Sequence, residues 1–355
     1  MAAAKEIRVA LVGYGLGGRI FHAPFVEATA GMRLATIVTR DPDRAAEAAA
    51  AHPGTAIVAS VEDVWSRAAE HDLVVVSSTN RTHVPIGLAA LDAGLALVVD
   101  KPLAPTAAGG RALLDRARER DLPFSVFQNR RWDGDFRTVR GLLADGRLGD
   151  VVRFESRYER WRPTPKSGAW RESGDPEDAG GLLFDLGAHL IDQALVLFGR
   201  PETVYAEVRR RRPGVVVDDD VFVALGHRGG AVSHLWANVL AATPGPRFRV
   251  LGTRGTFEKR GMDVQEAALI AGARPGDAGW GVEPSEAWGQ LSDGERDVPV
   301  ETEPGAYERY YAGMAAAMRG EDAVPVDPAD AVLGLEVIEA AFASAREGRV
   351  VALGR

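Results

Sequence analysis

Five short, almost uninterrupted apolar runs precede Arg130: IRVALVG, LATIVT, LVVVSS, LALVVD and FSVFQ. A strand that shows one face to water alternates apolar and polar residues. Runs like these therefore belong to strands covered on both faces. The stretches between them, such as DPDRAAEAAAAH and TAAGGRALLDRARERD, carry helical patterning, with Asp41 or Asp43 placed to cap the first. This alternation predicts a parallel, doubly wound sheet.

After Asn129 the texture changes. A helix (DFRTVRGLLADG) leads into VVRFESRYERWRP, a strand with one polar face, then a Gly/Pro/Asp-rich loop and a long helix, GLLFDLGAHLIDQALVLFG. ETVYAEVRRR, VFVALGH, AVSHLWANVL and RFRVLGT follow as successive strands with turn signals, which predicts a mostly antiparallel open sheet. At roughly 100–200 residues per domain, 355 residues make two. The expected division is a dinucleotide-binding domain over 1–129 and an α/β domain over 130–355. Gly272 to Asp297 reads as a long surface excursion. The closing helices near Tyr307–Met318 and Asp327–Arg346 are candidates to pack back on the first domain.

The formal net charge of -8 lacks the basic footprint of a nucleic-acid binder. The one basic cluster, Arg209 to Arg212, is followed by Asp218 to Asp220, and the pair reads as a solvated hairpin end. With no cysteine, disulfides, thiolate nucleophiles and Cys-ligated zinc drop out. The first apolar run is too short for a signal peptide, and no run approaches the ~18 apolar residues of a membrane span. A cytoplasmic protein without nucleic-acid or membrane partners is expected.

Gly13, Gly15 and Gly18 fit G-x-G-x-x-G, with Leu16 at the tip of the loop. Among 40 glycines a lone match is weak. Its place between a strand and a helix favours a dinucleotide over a purely structural turn. No Gly-Lys-Ser/Thr follows, so it is not a Walker loop. At the end of the second strand an acidic residue would hold a ribose 2′-OH, whereas an arginine suits a 2′-phosphate. Thr39 and Arg40 stand there, favouring NADP and leaving NAD open, and Asp41 reads as the N-cap before Pro42.

Lys101 directly follows a buried strand, at the edge where open α/β sheets bind ligands, although surface lysines at strand ends are common. Asp185, His189 and Asp192 share one face of a helix by their spacing. On the helix alone, a solvated stripe with an ion pair fits equally well. One histidine with two carboxylates makes a poor metal set, so no metal is expected.

These motifs together resemble the Gfo/Idh/MocA oxidoreductases over nearly the whole length. The resemblance rests on the glycine loop, STNRTH, DKP, NRRWD and GGLLFDLGAHLIDQ. GLGGRIFHAPF and ESRYERWRP look most like the NADP-linked scyllo-inositol dehydrogenase branch. Asp100 departs from the usual Glu-Lys-Pro and leaves the lysine in place. The resemblance implies a Rossmann domain followed by an α/β domain whose open sheet serves oligomer contacts, as a homodimer or homotetramer. It implies Lys101, Asp185 and His189 as the catalytic set. Gly13, Gly15, Leu16, Gly18, Thr39, Arg40, Thr79, Asn80 and His83 would line the cofactor. Phe21 and His22 then begin a helix beside the nicotinamide half, with core packing equally open for Phe21.

The implied reaction is hydride transfer between a secondary alcohol of a sugar or cyclitol and a nicotinamide. An ordinary lysine titrates near ~10.4 and would need roughly three units of depression to act as a base at neutrality, whereas an ordinary histidine near ~6.5 needs almost none. His189 is therefore the expected acid/base, Lys101 the donor to the reacting oxygen, and Asp185 their orienter. A lysine base stays open. Tyr158, Arg160, Trp161 and Asp192 are the expected contacts to a hydroxylated ring; Trp161 as core and Arg160 paired with Glu159 fit as well. The rivals are an NAD-dependent glycoside hydrolase of the same fold and a non-enzymatic NADP-sensing regulator.

Overall fold

The computed structural model describes residues 6–165 and 170–354. The chain divides into two compact units. One holds the chain up to Asn129 with Ala267–Trp280 and Tyr307–Val332; the other holds Arg130–Glu266, Gly281–Ala306 and the chain from Leu333.

Among the described residues, the first unit carries six strands: β1 (Ile7–Val12), β2 (Met32–Val38), β3 (Ala56–Val58), β4 (Leu73–Val76), β5 (Ala96–Asp100) and β6 (Phe124–Phe127). They are all parallel, in the order β3-β2-β1-β4-β5-β6. Helices cross between them, and all four residues of β4 are buried, as covered parallel strands require. The order reverses between β1 and β4, so a crevice opens at their carboxyl ends. Gly13 leaves β1 there, Ser77 leaves β4, and Lys101 follows β5 one strand further on.

The second unit carries β7 (Val151–Glu159), β8 (Pro201–Arg209), β9 (Asp220–His227), β10 (Val232–Asn238), β11 (Phe248–Gly252), β12 (Gly255–Lys259), β13 (Gly289–Ser292), β14 (Asp297–Val300) and β15 (Val351–Ala352). Their order is β14-β13-β12-β11-β7-β10-β9-β8-β15. The expectation of a mostly antiparallel sheet is corrected to a mixed one. β7 and β10 run parallel at its centre, from Arg153↔Val232 to Glu159↔Asn238, while their outer neighbours pair antiparallel. The reason is topological: between β7 and β10 the chain passes through a helix and the β8–β9 hairpin before entering the sheet again.

One face of this sheet is apolar. Val221, Val223 and Leu225 of β9 alternate with half-buried residues, as do Leu235 and Ala237 of β10. Each fully buried leucine there contributes about 2 kcal/mol. Beside the sheet lies the helix Ala188–Phe198, with Leu190, Ile191, Ala194 and Leu195 buried. The helical stretch Pro176–Phe198 has a membrane-like mean hydropathy of 1.5, yet 67% of that window is buried inside the protein, the mark of a core helix.

The basic and acidic runs close the β8–β9 hairpin and are solvated only in part: Arg209, Arg210 and Arg211 are exposed, whereas Arg212, Asp218 and Asp219 turn inward. Arg212 and Asp219 are both buried, joined at 2.9 Å, and Arg212 also grips Glu172 at 3.1 Å. Asp218 turns inward to accept the amide of Leu183 at 2.7 Å. Burial pushes the Asp218 carboxyl up to about 6, against the pull of that amide.

Candidate active site

The glycine loop divides by what each position faces. Gly13 has φ of 103°, and a Cβ there would stand 2.4 Å from the Ser77 carbonyl oxygen. A Cβ on Gly18 would stand 2.0 Å from the carbonyl oxygen of Gly13. These two are demanded by the fold itself. Gly15 is different: its Cβ would meet nothing nearer than the Arg44 guanidinium at 3.9 Å. Space is left over its backbone, as a group approaching the main chain needs. Leu16, 49% exposed, sits beside it. The chain then winds into a π turn, Gly17–His22, in which the Ala23 amide donates to the Gly18 carbonyl, before tightening into helix Ala23–Ala28.

At the end of β2, Thr39 is half-buried and Arg40 exposed. Asp41 caps the next helix, its Oδ1 accepting the amides of Asp43 and Arg44 at 3.0 and 3.1 Å. Among the described residues Arg40 enters no ion pair. After β4, Thr79 is exposed and Asn80 buried. His83 does not line an open cleft. It is 1% exposed, and its ring nitrogens face the carbonyls of Pro102 at 2.9 Å and Ser78 at 3.2 Å. Burial lowers its pKa despite Asp100 nearby, so a neutral ring donates to one of the two. His83 thus ties the loop after β4 to the turn carrying Lys101. That turn includes a cis Lys101–Pro102 peptide, and Asp100 Oδ1 accepts the Lys101 amide at 2.8 Å.

In the second unit, a second π turn, Leu183–Gly187, precedes helix Ala188–Phe198, so the spacing of Asp185 and His189 spans a change of helical winding. Asp185 accepts from Arg171 Nε at 3.0 Å. His189 is 5% exposed, and its ring meets the Tyr158 ring edge-on, centroids 6.3 Å apart. Asp192 is not an open substrate contact: both its oxygens accept from Arg131, at 2.9 and 2.6 Å. Nor is Tyr158, which is 1% exposed with its hydroxyl accepting from Arg247 at 2.9 Å. Burial pushes the Tyr158 phenol up to about 12, outweighing Arg247 and Arg130. Arg160 is half-buried and forms no ion pair among the described residues. Burial lowers its pKa, with Arg162, Glu266, Asp185 and Arg130 as charged neighbours. Trp161 is 58% exposed rather than core.

Sequence reasoning assigned no role to Arg130 and Arg131, although NRRWD stood out as a motif. Arg131 holds Asp192, and Arg130 pairs with Glu266. Gln193, next to Asp192 in LIDQ, bridges the Arg130 carbonyl at 3.0 Å and Arg247 at 2.8 Å. Arg247 carries no local signal; it is a buried cation immediately before β11.

A Rossmann unit with a glycine loop open at Gly15, followed by an α/β unit presenting a histidine and carboxylates from one helix, defines the class of dinucleotide-binding oxidoreductases. Residues 7–128 match the family model described as "Oxidoreductase family, NAD-binding Rossmann fold", and residues 140–353 its "C-terminal alpha/beta domain". The chain belongs to the Gfo/Idh/MocA oxidoreductase family. It is 37% identical to the uncharacterized oxidoreductase YdgJ of Escherichia coli, covering 98% of this chain and 99% of that one. It is 34% identical to the NADP(+)-dependent scyllo-inositol 2-dehydrogenase IolW of Bacillus subtilis, covering 98% and 96%. The solved structure of YvaA from Bacillus subtilis superposes with a TM-score of 0.92 at 32% identity, covering 99% of this chain and all of that one.

Proposed function

We propose that the protein oxidises a secondary alcohol of a sugar or cyclitol, reversibly, with a nicotinamide dinucleotide as hydride partner and NADP preferred. The observation that carries this reading is the open backbone at Gly15 together with an exposed Arg40 that enters no ion pair among the described residues. The first leaves room for a diphosphate at a helix start. The second offers a charge-assisted bond to a 2′-phosphate. A bound nicotinamide supplies the hydride acceptor; the protein's own groups handle the proton and the substrate. Lys101 donates a hydrogen bond to the reacting oxygen. His189 takes the alcohol proton, and Asp185 orients it. The half-buried guanidinium of Arg160 donates to ring hydroxyls, and Trp161 offers an apolar face. A lysine base is the second reading of the same set. The similarity to IolW supports scyllo-inositol within the polyol class.

Incubation with NADP⁺ and a panel of cyclitols, aldoses and propan-2-ol tests this. Net reduction of NADP⁺ with rings and little with the simple alcohol is expected, because a site built to pair hydroxyls rejects ligands lacking them. No net reduction, with glycoside cleavage instead, would favour the hydrolase reading. Arg40→Ala should weaken NADPH binding about tenfold or more while leaving NADH nearly unchanged, the loss of one charge-assisted bond. Equal losses would remove the basis for the NADP preference.

The open face of the second unit's sheet carries Tyr205, Phe222, His234 and Trp236, with Arg157 stacked over Trp236 at 4.0 Å. This aromatic face supports the reading of a homodimer or homotetramer.

A further inference from the structure

We propose that Tyr311, His22 and Asp100 form a directed relay buried beneath Lys101, in which His22 and Tyr311 are positioning residues for the Asp100–Lys101 turn. The inference rests on the reading of Lys101 as donor to the reacting oxygen.

His22 ends the π turn that follows the glycine loop and is 0% exposed. Its Nδ1 lies 2.6 Å from the Tyr311 hydroxyl. The Phe127 ring lies against it, centroids 4.3 Å apart. Its Nε2 is buried with no hydrogen bond, and it faces Asp100 Oδ2 at 3.4 Å. A buried ring nitrogen left without a partner is costly, so a contact just beyond bonding distance calls for an explanation. Contacts in active sites are often loose before ligands bind and tighten afterwards. Asp100 is engaged on its other sides. Oδ1 accepts the Lys101 amide at 2.8 Å and Oδ2 accepts the Ser77 hydroxyl at 3.1 Å. One carboxylate therefore fixes the ends of β4 and β5 together, with His22 behind it.

The direction of the relay follows from what each partner can donate or accept. Tyr311 is fully buried beside Tyr310 and Asp100, which pushes its hydroxyl well above the ordinary range. It stays protonated, and because a phenol can both donate and accept, the other side of the His22 ring sets the direction. Asp100, a carboxylate, only accepts, so the Nε2 facing it at 3.4 Å carries an N–H and Nδ1 accepts from the Tyr311 hydroxyl at 2.6 Å. Burial opposes the charge on Asp100, but the His22 N–H that faces it, together with the nearby Lys101 cation, outweighs burial and holds the carboxyl below its usual range. The charged or titratable groups facing the relay are thus Tyr310 on Tyr311, and His83 and Lys101 on Asp100. No proton moves along it; its effect is to hold a fixed charge next to Lys101.

The test uses the full chain with ¹⁵N-labelled histidine, the His22 signals being assigned by their loss in His22→Phe or their shift in Tyr311→Phe. The Nε2–H tautomer is expected in the parent, with the Nδ1 resonance shifting in Tyr311→Phe. Tyr311→Phe should lower kcat about tenfold, the size of one hydrogen bond, while KM and the cofactor Kd stay within about twofold. It should also move one limb of the kcat–pH profile by about half a unit. His22→Phe should cost about a hundredfold, and His22→Gln, whose amide still donates towards Asp100, should recover most of it. An Nδ1–H tautomer in the parent overturns the proposal. So does a parental kcat and pH profile in Tyr311→Phe, whatever its Tm, and that variant removes a single oxygen should His22→Phe fail to fold. Lys101→Met with unchanged kcat would overturn the reading of Lys101 instead, and the tautomer then decides the relay by itself.

Discussion

The chain winds two helix starts the same way and uses them differently. Gly17–His22 and Leu183–Gly187 are both π turns that tighten into α-helix, at Ala23 and at Ala188. Wide turns of this kind occur often at functional sites. The first is preceded by an open backbone at Gly15 and buries its histidine, His22. The second presents side chains, Asp185 and His189, and sets arginines around them: Arg171 on Asp185 and Arg131 on Asp192. A phosphate needs amides and room. Alcohol chemistry needs a base and a donor that do not wander. On the proposed function, one winding would serve both because the residues projected from it differ.

The comparison breaks most visibly at the chemistry. His189→Ala and Lys101→Met should each lower kcat about a thousandfold with cofactor affinity nearly intact, measured by stopped-flow turnover and cofactor fluorescence. Parental rates in both would move the chemistry away from the second helix start. Next in size is the arginine scaffold. Arg131→Leu takes two charge-assisted bonds from a buried carboxylate and should cost about 3–5 kcal/mol in urea unfolding, whereas Arg131→Met with Asp192→Leu should recover most of it. A loss below 1 kcal/mol in the single variant would show that Asp192 is solvated (~1 kcal/mol is the scale of an exposed pair).

The glycine loop sharpens the contrast within one motif. Gly18→Ala drives a methyl into the Gly13 carbonyl and should cost about 3 kcal/mol of stability. Gly15→Ala meets open space and should cost under ~0.5 kcal/mol, yet weaken the dinucleotide about tenfold. Equal stability losses would mean that both glycines serve the fold alone.

A further effect is pH-dependent. Asp218 anchors the second helix start with a carboxyl pushed up to about 6 from an ordinary 3.8. The folded chain therefore holds that proton more tightly than the unfolded chain. Its charge costs stability above pH 6, and below the ordinary value the cost vanishes. Asp218→Asn mimics the protonated form. Relative to the parent it should gain about 2–3 kcal/mol as pH rises from ~4 to ~7, by thermal unfolding across pH. A flat difference would contradict this account of the cap.

The parallel sheet of the first unit was readable because strands covered on both faces spell out uninterrupted apolar runs. The mixed sheet was not, since β9 and β10 alternate in the same way whether a neighbour runs parallel or antiparallel. The glycine positions and Asp41 cap were visible because their causes are local. Tyr158, Asp192 and His83 were misjudged for the opposite reason. Their partners lie far away in the chain: Arg247 at a separation of 89 residues, Arg131 at 61, Pro102 at 19. Arg209, Arg210 and Arg211 are exposed as the run suggests, but Arg212 is buried, and Glu172, which receives it, lies 40 residues upstream. Charge that is paired across the fold reads in sequence as charge facing water.

The central claim is that hydride leaves a polyol carbon for a nicotinamide held by the first unit. The most direct measurement incubates the protein with NADP⁺ and carbon-deuterated scyllo-inositol, myo-inositol and glucose, and weighs the recovered cofactor by mass spectrometry. The account predicts one deuterium in the NADPH formed from at least one ring, none when Lys101→Met replaces the parent, and a ketone as co-product. Reduced cofactor without deuterium, or a consumed ring with no deuterium in the cofactor, would contradict it.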